Sequence, residues 1–260
     1  MGKKNLFVFE NTYTLNNFIL QRWYKLADRA IGTRKPFAVA LSGQKSLIPF
    51  MSRIGAIIDF DYWPHTHLFQ SDDCFTQKNI NGFYKDVIQQ HLLTTISIEG
   101  HQFHGFSRED VDIFFRAKAY EAELLMFFRL KLGQVPVFDL VLLGMDQSGH
   151  ISSWHPDILR LSHQGRFLNS FSSRHFQSAT IALSPAVINQ ARTVIVVSTG
   201  PLDAAVVKGL IGQNEEAGHL NFLNSAKGHV YYLFDRQSAP RPSFLADFQP
   251  YDESLSYSGF

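Results

Sequence analysis

With 260 residues, 45% hydrophobic and 18% charged, the chain has the makeup of a globular protein that buries its core in one large domain or two small ones. A formal net charge of +1 removes the electrostatic case for nucleic acid or an anionic membrane as partner. The lone Cys74 excludes an internal disulfide framework and any multi-cysteine metal site, and no apolar run approaches the ~20 residues that span a bilayer.

The opening MGKKNLFVF carries too short an apolar stretch for a secretory leader, so the cytosol is the expected compartment. Residues 12–30 place Leu15, Phe18, Ile19, Trp23, Leu26 and Ala27 at spacings of three and four, which predicts an amphipathic helix with N-cap candidates at Thr14, Asn16 and Asn17. Residues 37–41 read as a short buried strand entered through Pro36. Ser42, Gly43, Gln44, Lys45 and Ser46 follow, and a helix is predicted over 47–58. A strand, a glycine turn and a helix start together form a potential anion cradle, to which Lys45 adds a charge. An ordinary turn with a solvent-facing lysine fits the same residues. Residues 66–70 are the next strand, ending at Ser71, Asp72, Asp73 and Cys74, with the cysteine packing as a small apolar residue.

A helix is predicted over 83–93 and an extended segment over 94–98. His101 and His104 share the loop 101–107, where the lack of a third nearby ligand argues against metal. Ser107, Glu109 and Asp110 signal the start of a long helix to about residue 132, closed by Gly133 and Pro136. Val111, Phe114, Phe115, Ala119, Leu124, Leu125 and Phe128 are its expected buried stripe, with no cofactor implied.

The stretch 138–156, FDLVLLGMDQSGHISSWHP, organises the rest. A four-residue apolar run between Asp139 and Gly144 reads as a buried strand, and Gly144, Gln147, Ser148 and Gly149 turn the backbone at its carboxyl edge. His150 follows at once. In an open α/β sheet ligands bind beyond the carboxyl ends of the strands, and an imidazole there can move a proton near neutral pH. A loop histidine bonded to a neighbouring carbonyl is the plainer reading of the same spacing. The polar segment 159–178 is expected to cover one side of the crevice, with Arg160, Arg166 and Arg174 as candidates to reach an anion. An apolar run over 179–183 leads to a short helix ending near Ala191. The β-branched run 193–199 predicts a strand entering Gly200, with a helix over 206–211, and 229–234 predicts a last strand. One domain over 1–239 and an extended tail over 240–260 complete the expected organisation.

The sequence around His150 resembles the signature of the 6-phosphogluconolactonase and glucosamine-6-phosphate isomerase/deaminase superfamily, in which Leu-Gly-Met/Ile is followed by a loop ending Asp-Gly-His. Ala40-Leu41-Ser42-Gly43, Ala119-Tyr120-Glu121-Ala122-Glu123-Leu124, residues 183–192 and Thr199-Gly200 match in the family's order. The lactonase branch fits better, because Ser152-Ser153-Trp154-His155-Pro156 is similar to its Ala-Ser-Leu-Phe-Pro, and Ser148 stands where the deaminase reaction needs an aspartate. The resemblance implies a mostly parallel sheet with helices on both faces, as in ribose-5-phosphate isomerase and the coenzyme A transferases. It also implies opening of a sugar δ-lactone, in carbohydrate metabolism, with His150 as general base. Asp72 would orient His150 or bind a sugar hydroxyl. Ser42, Gly43, Gln44, Lys45, Ser71, Gly144, Gly149 and Gly200 would line a sugar lactone or sugar phosphate, with no metal and no cofactor.

Three departures weigh against phosphate. Asp73, Thr180 and Asp203 stand where arginine, arginine and lysine are usual, and an aspartate beside a phosphate repels it. The turn after residue 41 has also lost the family's second glycine and its proline. The resemblance thus leaves open a lactonase with an altered substrate, a non-catalytic member that binds a sugar ligand or a protein, and, third, a deaminase-like isomerase.

Overall fold

The computed structural model describes residues 4–57, 61–76, 83–107, 112–151, 166–173, 178–203, 206, 223, 227–238 and 249–250. In chain order its elements are β1 (Lys4–Phe9), α1 (Thr12–Gly32), β2 (Phe37–Leu41), α2 (Ile48–Gly55), β3 (Thr66–Gln70), β4 (Asp72–Thr76), α3 (Phe83–Ile88), β5 (Phe103–His104), α4 (Ile113–Phe127), β6 (Leu140–Gly144), β7 (Leu168–Ser173), β8 (Ser178–Leu183), β9 (Thr193–Ser198), β10 (His229–Asp235) and β11 (Gln249–Pro250). A helical turn, Pro185–Ile188, joins β8 to β9.

Eight strands form one sheet in the order β11-β1-β10-β9-β6-β2-β3-β5, and every neighbouring pair is parallel. From β2 the chain proceeds outward through β3 to β5, then returns to β6 and proceeds the other way through β9 to β10. The order therefore reverses between β2 and β6, which opens a crevice at their carboxyl ends. The expected α/β class, a mostly parallel sheet with helices on both faces, is what the chain forms. A second, antiparallel sheet of β4, β8 and β7 stands beside the crevice.

Alternation along the strands feeds two cores. Phe37, Val39 and Leu41 of β2, Leu140 and Leu142 of β6, and Ile195 and Val197 of β9 face α1 and α2. Ala38, Ala40, Val141, Leu143, Val194 and Val196 face α4 and the small sheet. Both faces are covered, so these strands read as unbroken apolar runs. On the first side Trp23 is fully buried, with its ring 5.4 Å from Phe37 and 5.9 Å from both Phe50 and Trp63. Helix α1 begins one turn earlier than its cap candidates suggest: Asn11 Oδ1 accepts from the Thr14 amide, and Thr14 supplies the reciprocal hydroxyl of a capping box.

Several expectations are corrected. Residues 94–96 turn instead of extending, because the Thr94 and Thr95 hydroxyls donate to the Gln90 and Leu92 carbonyls and close the preceding helical segment. The predicted loop 101–107 contains the edge strand β5. The helix expected from Ser107 begins at Ile113, capped by Asp112 Oδ1 on the Phe114 amide, and ends at Phe127. Its rotation also differs. Ile113, Arg116, Ala117, Tyr120 and Leu124 are buried, whereas Phe114, Phe115, Ala119 and Leu125 are exposed. Two anchors set that rotation: the Tyr120 hydroxyl donates to the Gln70 and His104 carbonyls, and the Arg116 guanidinium lies 4.5 Å from the Phe75 ring centre. Strands β1, β4 and β7 were not anticipated, and β11 lies inside the segment expected to trail, paired with β1. Residues 108–111, 152–165, 174–177, 207–211 and most of 239–260 lie outside the described residues, so Val111, Arg160, Arg174 and the proposed 206–211 helix beyond Val206 are not placed. No helix of the described residues is long and apolar enough to cross a membrane.

Candidate active site

The residues singled out in the sequence collect at the carboxyl ends of four adjacent strands, β9, β6, β2 and β3. After β2, the Ser42 amide donates to the Leu142 carbonyl and its Oγ accepts from the Gln44 amide at 3.3 Å. Gly43 is required by packing: a Cβ there would lie 2.3 Å from the Tyr84 carbonyl at the start of α3. Gln44 is buried and folds over the end of β6, where a Cβ on Gly144 would sit 2.4 Å from the Gln44 Cβ and 2.7 Å from Ser46 Oγ. That hydroxyl is buried and has no hydrogen-bond partner among the described residues. Lys45 is exposed at the outer side of the turn. Two glycines thus let β2's turn, β6 and α3 meet at the point where the strand order reverses.

Ser71, Asp72 and Asp73 follow β3, all buried. The Ser71 hydroxyl donates to Asp72 Oδ1 at 2.7 Å. The Tyr84 phenol is close enough to feel Asp72: burial, then Asp72 and Cys74, push its pKa up, while a hydrogen bond from Gln44 pulls the other way. Asp73 faces its own backbone. Its Oδ1 accepts from the Cys74 and Tyr84 amides, each at 2.8 Å, and its Oδ2 from Gln70 Nε2 at 2.6 Å and the Lys85 amide at 3.3 Å. Burial raises its pKa to about 6 against those hydrogen bonds. The anion at the arginine position is therefore spent on the first turn of α3, where donors converge.

His150 closes a tight loop after β6. The Gly149 amide donates to the Asp146 carbonyl, the Asp146 amide to the His150 carbonyl, and Met145 bridges to Ile151. Gly149 has φ +80°, in the left-handed region that favours glycine, and a Cβ there would meet Val206 at 2.9 Å. Asp146 holds the histidine twice: Oδ1 accepts from the His150 amide at 2.9 Å, and Oδ2 lies 3.3 Å from Nδ1. The hydrogen bond that Nδ1 donates to Asp146 raises the His150 pKa above 6.5, against partial burial, with the carboxylate's charge adding to it. In Asp146, burial raises the pKa but the bonds from His150 outweigh it and the net direction is down. With the Nδ1 proton on the Asp146 side, Nε2 becomes the basic nitrogen.

The resemblance leaves Asp72 either to orient His150 or to bind a sugar hydroxyl, and does not single out Asp146, the acid that meets His150 in the structure. The signal was present: an acid four residues before the histidine across a glycine loop. Tyr84 has no signal in the sequence, because only packing brings it to the crevice.

The remaining departures also find places. The Asp203 amide donates to the Gln147 carbonyl, and Gln147 Nε2 donates to Asp203 Oδ1 at 3.1 Å, which ties the loop after β9 to the histidine loop. Gly200, at φ +91°, donates its amide to Asp235 Oδ1 at 3.4 Å. Thr180 sits on β8 opposite Cys74 and Phe171, its buried Oγ1 without a partner among the described residues. Arg166 is exposed. No group of three or more His, Cys, Asp or Glu among the described residues could hold a metal ion.

A family model described as glucosamine-6-phosphate isomerases/6-phosphogluconolactonase matches residues 11–231. The chain belongs to this family. Within it, the chain is 24% identical to probable 6-phosphogluconolactonase 1 of Oryza sativa subsp. japonica, covering 94% of this chain and 86% of that one. It is 33% identical to 6-phosphogluconolactonase of Homo sapiens over 127 residues, 48% of each chain. The 6-phosphogluconolactonase structure from Trypanosoma brucei superposes with a TM-score of 0.78 at 22% identity, covering 96% of this chain and all of that one. A monomeric glucosamine-6-phosphate deaminase superposes less well, at 0.62 and 13% identity over 90% of this chain and 98% of that one. Both superpositions establish the fold that this family member shares.

Proposed function

We propose that the protein hydrolyses a sugar δ-lactone, and the observation that carries this is the Asp146–His150 pair at the point where the strand order reverses. His150 Nε2 takes a proton from a water whose oxygen attacks the lactone carbonyl carbon. The resulting tetrahedral oxyanion collapses with cleavage of the ring carbon–oxygen bond, and the imidazolium returns its proton to the departing ring oxygen, leaving the open aldonic acid. Asp146 keeps the imidazole in the required tautomer and stabilises the imidazolium. Asp72, braced by Ser71, is the acceptor for a sugar hydroxyl in this reading. Ser42, Gly43, Gln44 and Lys45, with Gly144, Gly149 and Gly200, line the crevice around it.

Lactonase relatives of comparable coverage support the reaction class. The second reading, a non-catalytic member that binds a ligand, draws on Asp203, Thr180 and Asp73 standing at three usually cationic positions. Rates of 6-phosphoglucono-δ-lactone and glucono-δ-lactone opening, corrected for spontaneous hydrolysis, separate the two. His150→Ala is expected to lower kcat/KM by about 10²–10⁴-fold. Equal rates for wild type and His150→Ala on both lactones overturn the hydrolase reading and leave the binding one.

A further inference from the structure

We infer that the outward face of α4 is the two-fold interface of a homodimer. The helix is apolar on both sides. Its inner side packs into the core, and its outer side carries Phe115, 61% exposed, and Met126, 80% exposed. Between them lie Ala119 and Ala122, also exposed. Asp112 and Arg129, both exposed, bracket this row one turn further out at either end. The six positions are spaced three, four, three, four and three residues apart, the repeat of a coiled-coil seam.

The seam is complementary to itself in one orientation. Antiparallel helices related by a two-fold between Tyr120 and Glu121 set Phe115 against the partner's Met126, Ala119 against the partner's Ala122, and Asp112 against the partner's Arg129. A parallel pairing would set each charge against its own kind. Small residues at the centre allow close approach of the two axes, and the flexible methionine fills the space beside the ring. Arg129 has φ +50° just past the helix, where its amide reaches the Met126 carbonyl and the following amide reaches Leu125. This leaves a cation at the helix's C-terminal end, facing an acid at the partner's N-terminal end.

The area agrees with a second copy as occupant. Phe114 and Leu125 lie beside the seam at 52% and 42% exposure. At roughly 200 Å² for a large side chain, these and the seam residues leave roughly 600 Å² of apolar surface, the upper end for a monomer. Lys118 lies against Phe115, its Nζ 6.0 Å from the ring centre, and adds its stem. With this rim the face approaches the roughly 800 Å² per partner of a stable interface. The self-complementary charges favour a copy of the same chain over an unrelated partner.

Sedimentation equilibrium of the full chain over a range of concentrations tests this. A dimer is expected for wild type, and monomers for Met126→Arg and for Ala122→Glu, each with unchanged circular dichroism. Arg129→Asp should weaken dimerisation about tenfold, since the ion pair occurs twice across the axis. Asp112→Asn, which keeps an acceptor for the Phe114 amide and removes only the charge, should weaken it by less. A wild type that stays monomeric at every concentration overturns the inference, as does a dimer that Met126→Arg and Ala122→Glu leave intact. Neither result bears on the lactonase reading.

Discussion

His150 and Asp146 make the first prediction at the scale of single residues. A general base works in its neutral form, so kcat/KM should rise with pH through the histidine's own pKa. Asp146 raises that value above 6.5, so the acid limb should have its midpoint above 6.5. Asp146→Asn removes the charged acceptor and leaves partial burial, which disfavours the imidazolium. The midpoint should then fall to 6.5 or lower, and a pH–rate profile with the midpoint unmoved would refute the pairing. The two groups act oppositely on stability. The raised histidine contributes below its unfolded value, and that contribution is lost as pH rises through its folded pKa. The depressed aspartate contributes above its unfolded value, and that is lost on acidification. The pair therefore stabilises most between about pH 4 and 6.5. Asp73 works in the other sense. Its folded pKa of about 6 lies above its unfolded one, so the folded state is disfavoured progressively as pH rises from about 4 to about 6. Its carboxylate nonetheless holds three backbone amides. Asp73→Ala should cost about 1–3 kcal/mol in denaturant unfolding, because buried donors are orphaned. Asp73→Arg, the residue usual in the family, should cost more by burying a cation among donors, with no gain for the phosphorylated lactone. A stable Asp73→Arg variant that binds it better would sink this account.

At the scale of elements, β2, β6, β9 and β10 were legible because burial on both faces makes each an unbroken apolar run. β7, LNSFSS, was not: its small polar residues resemble a loop, and only pairing with β8 extends them. β4 escaped notice because a single residue, Ser71, separates it from β3, too little for a turn signal. In α4 the period was visible and the inward side was not, since apolar residues occupy both faces. At the site, Gly43 and Gly144 are legible as turn glycines, but not what they admit: the Tyr84 backbone at Gly43, and Gln44 and Ser46 at Gly144. Sequence identifies a glycine but not what approaches it. Gly144→Ala tests this. Its Cβ would overlap Gln44 and Ser46, forcing the turn after β2 away from β6. A loss of about 1–3 kcal/mol is expected from overpacking, together with a larger fall in kcat/KM than stability alone explains. Wild-type activity and melting in Gly144→Ala would show that the contact is dispensable.

Across the whole molecule, the question is how charge is arranged around the crevice. A charge-assisted bond to phosphate is worth about 1.5–3 kcal/mol when shielded from solvent, against roughly 0–1 kcal/mol for an exposed pair. Among the described residues at these positions, Asp73 is committed to α3, Thr180 is neutral, and Lys45 is exposed on the turn, where it offers a weak attraction against the Asp203 charge. The protein should accordingly prefer the phosphorylated lactone over glucono-δ-lactone by less than about tenfold in kcat/KM. Asp203 is the position where that preference can be restored. It is exposed, and the hydrogen bond that its backbone amide donates to the Gln147 carbonyl does not depend on its side chain, so Asp203→Lys forfeits only the contact with Gln147 Nε2. The substitution replaces a repelling charge with an attracting one at the mouth of the β9 loop. It should raise kcat/KM for the phosphorylated substrate about tenfold and leave the unphosphorylated one within about twofold, with the difference shrinking as salt is added. Equal changes for both lactones, or none for either, would mean that the substrate's distal end does not lie near this loop. The crevice would then have to be read with its ligand reversed.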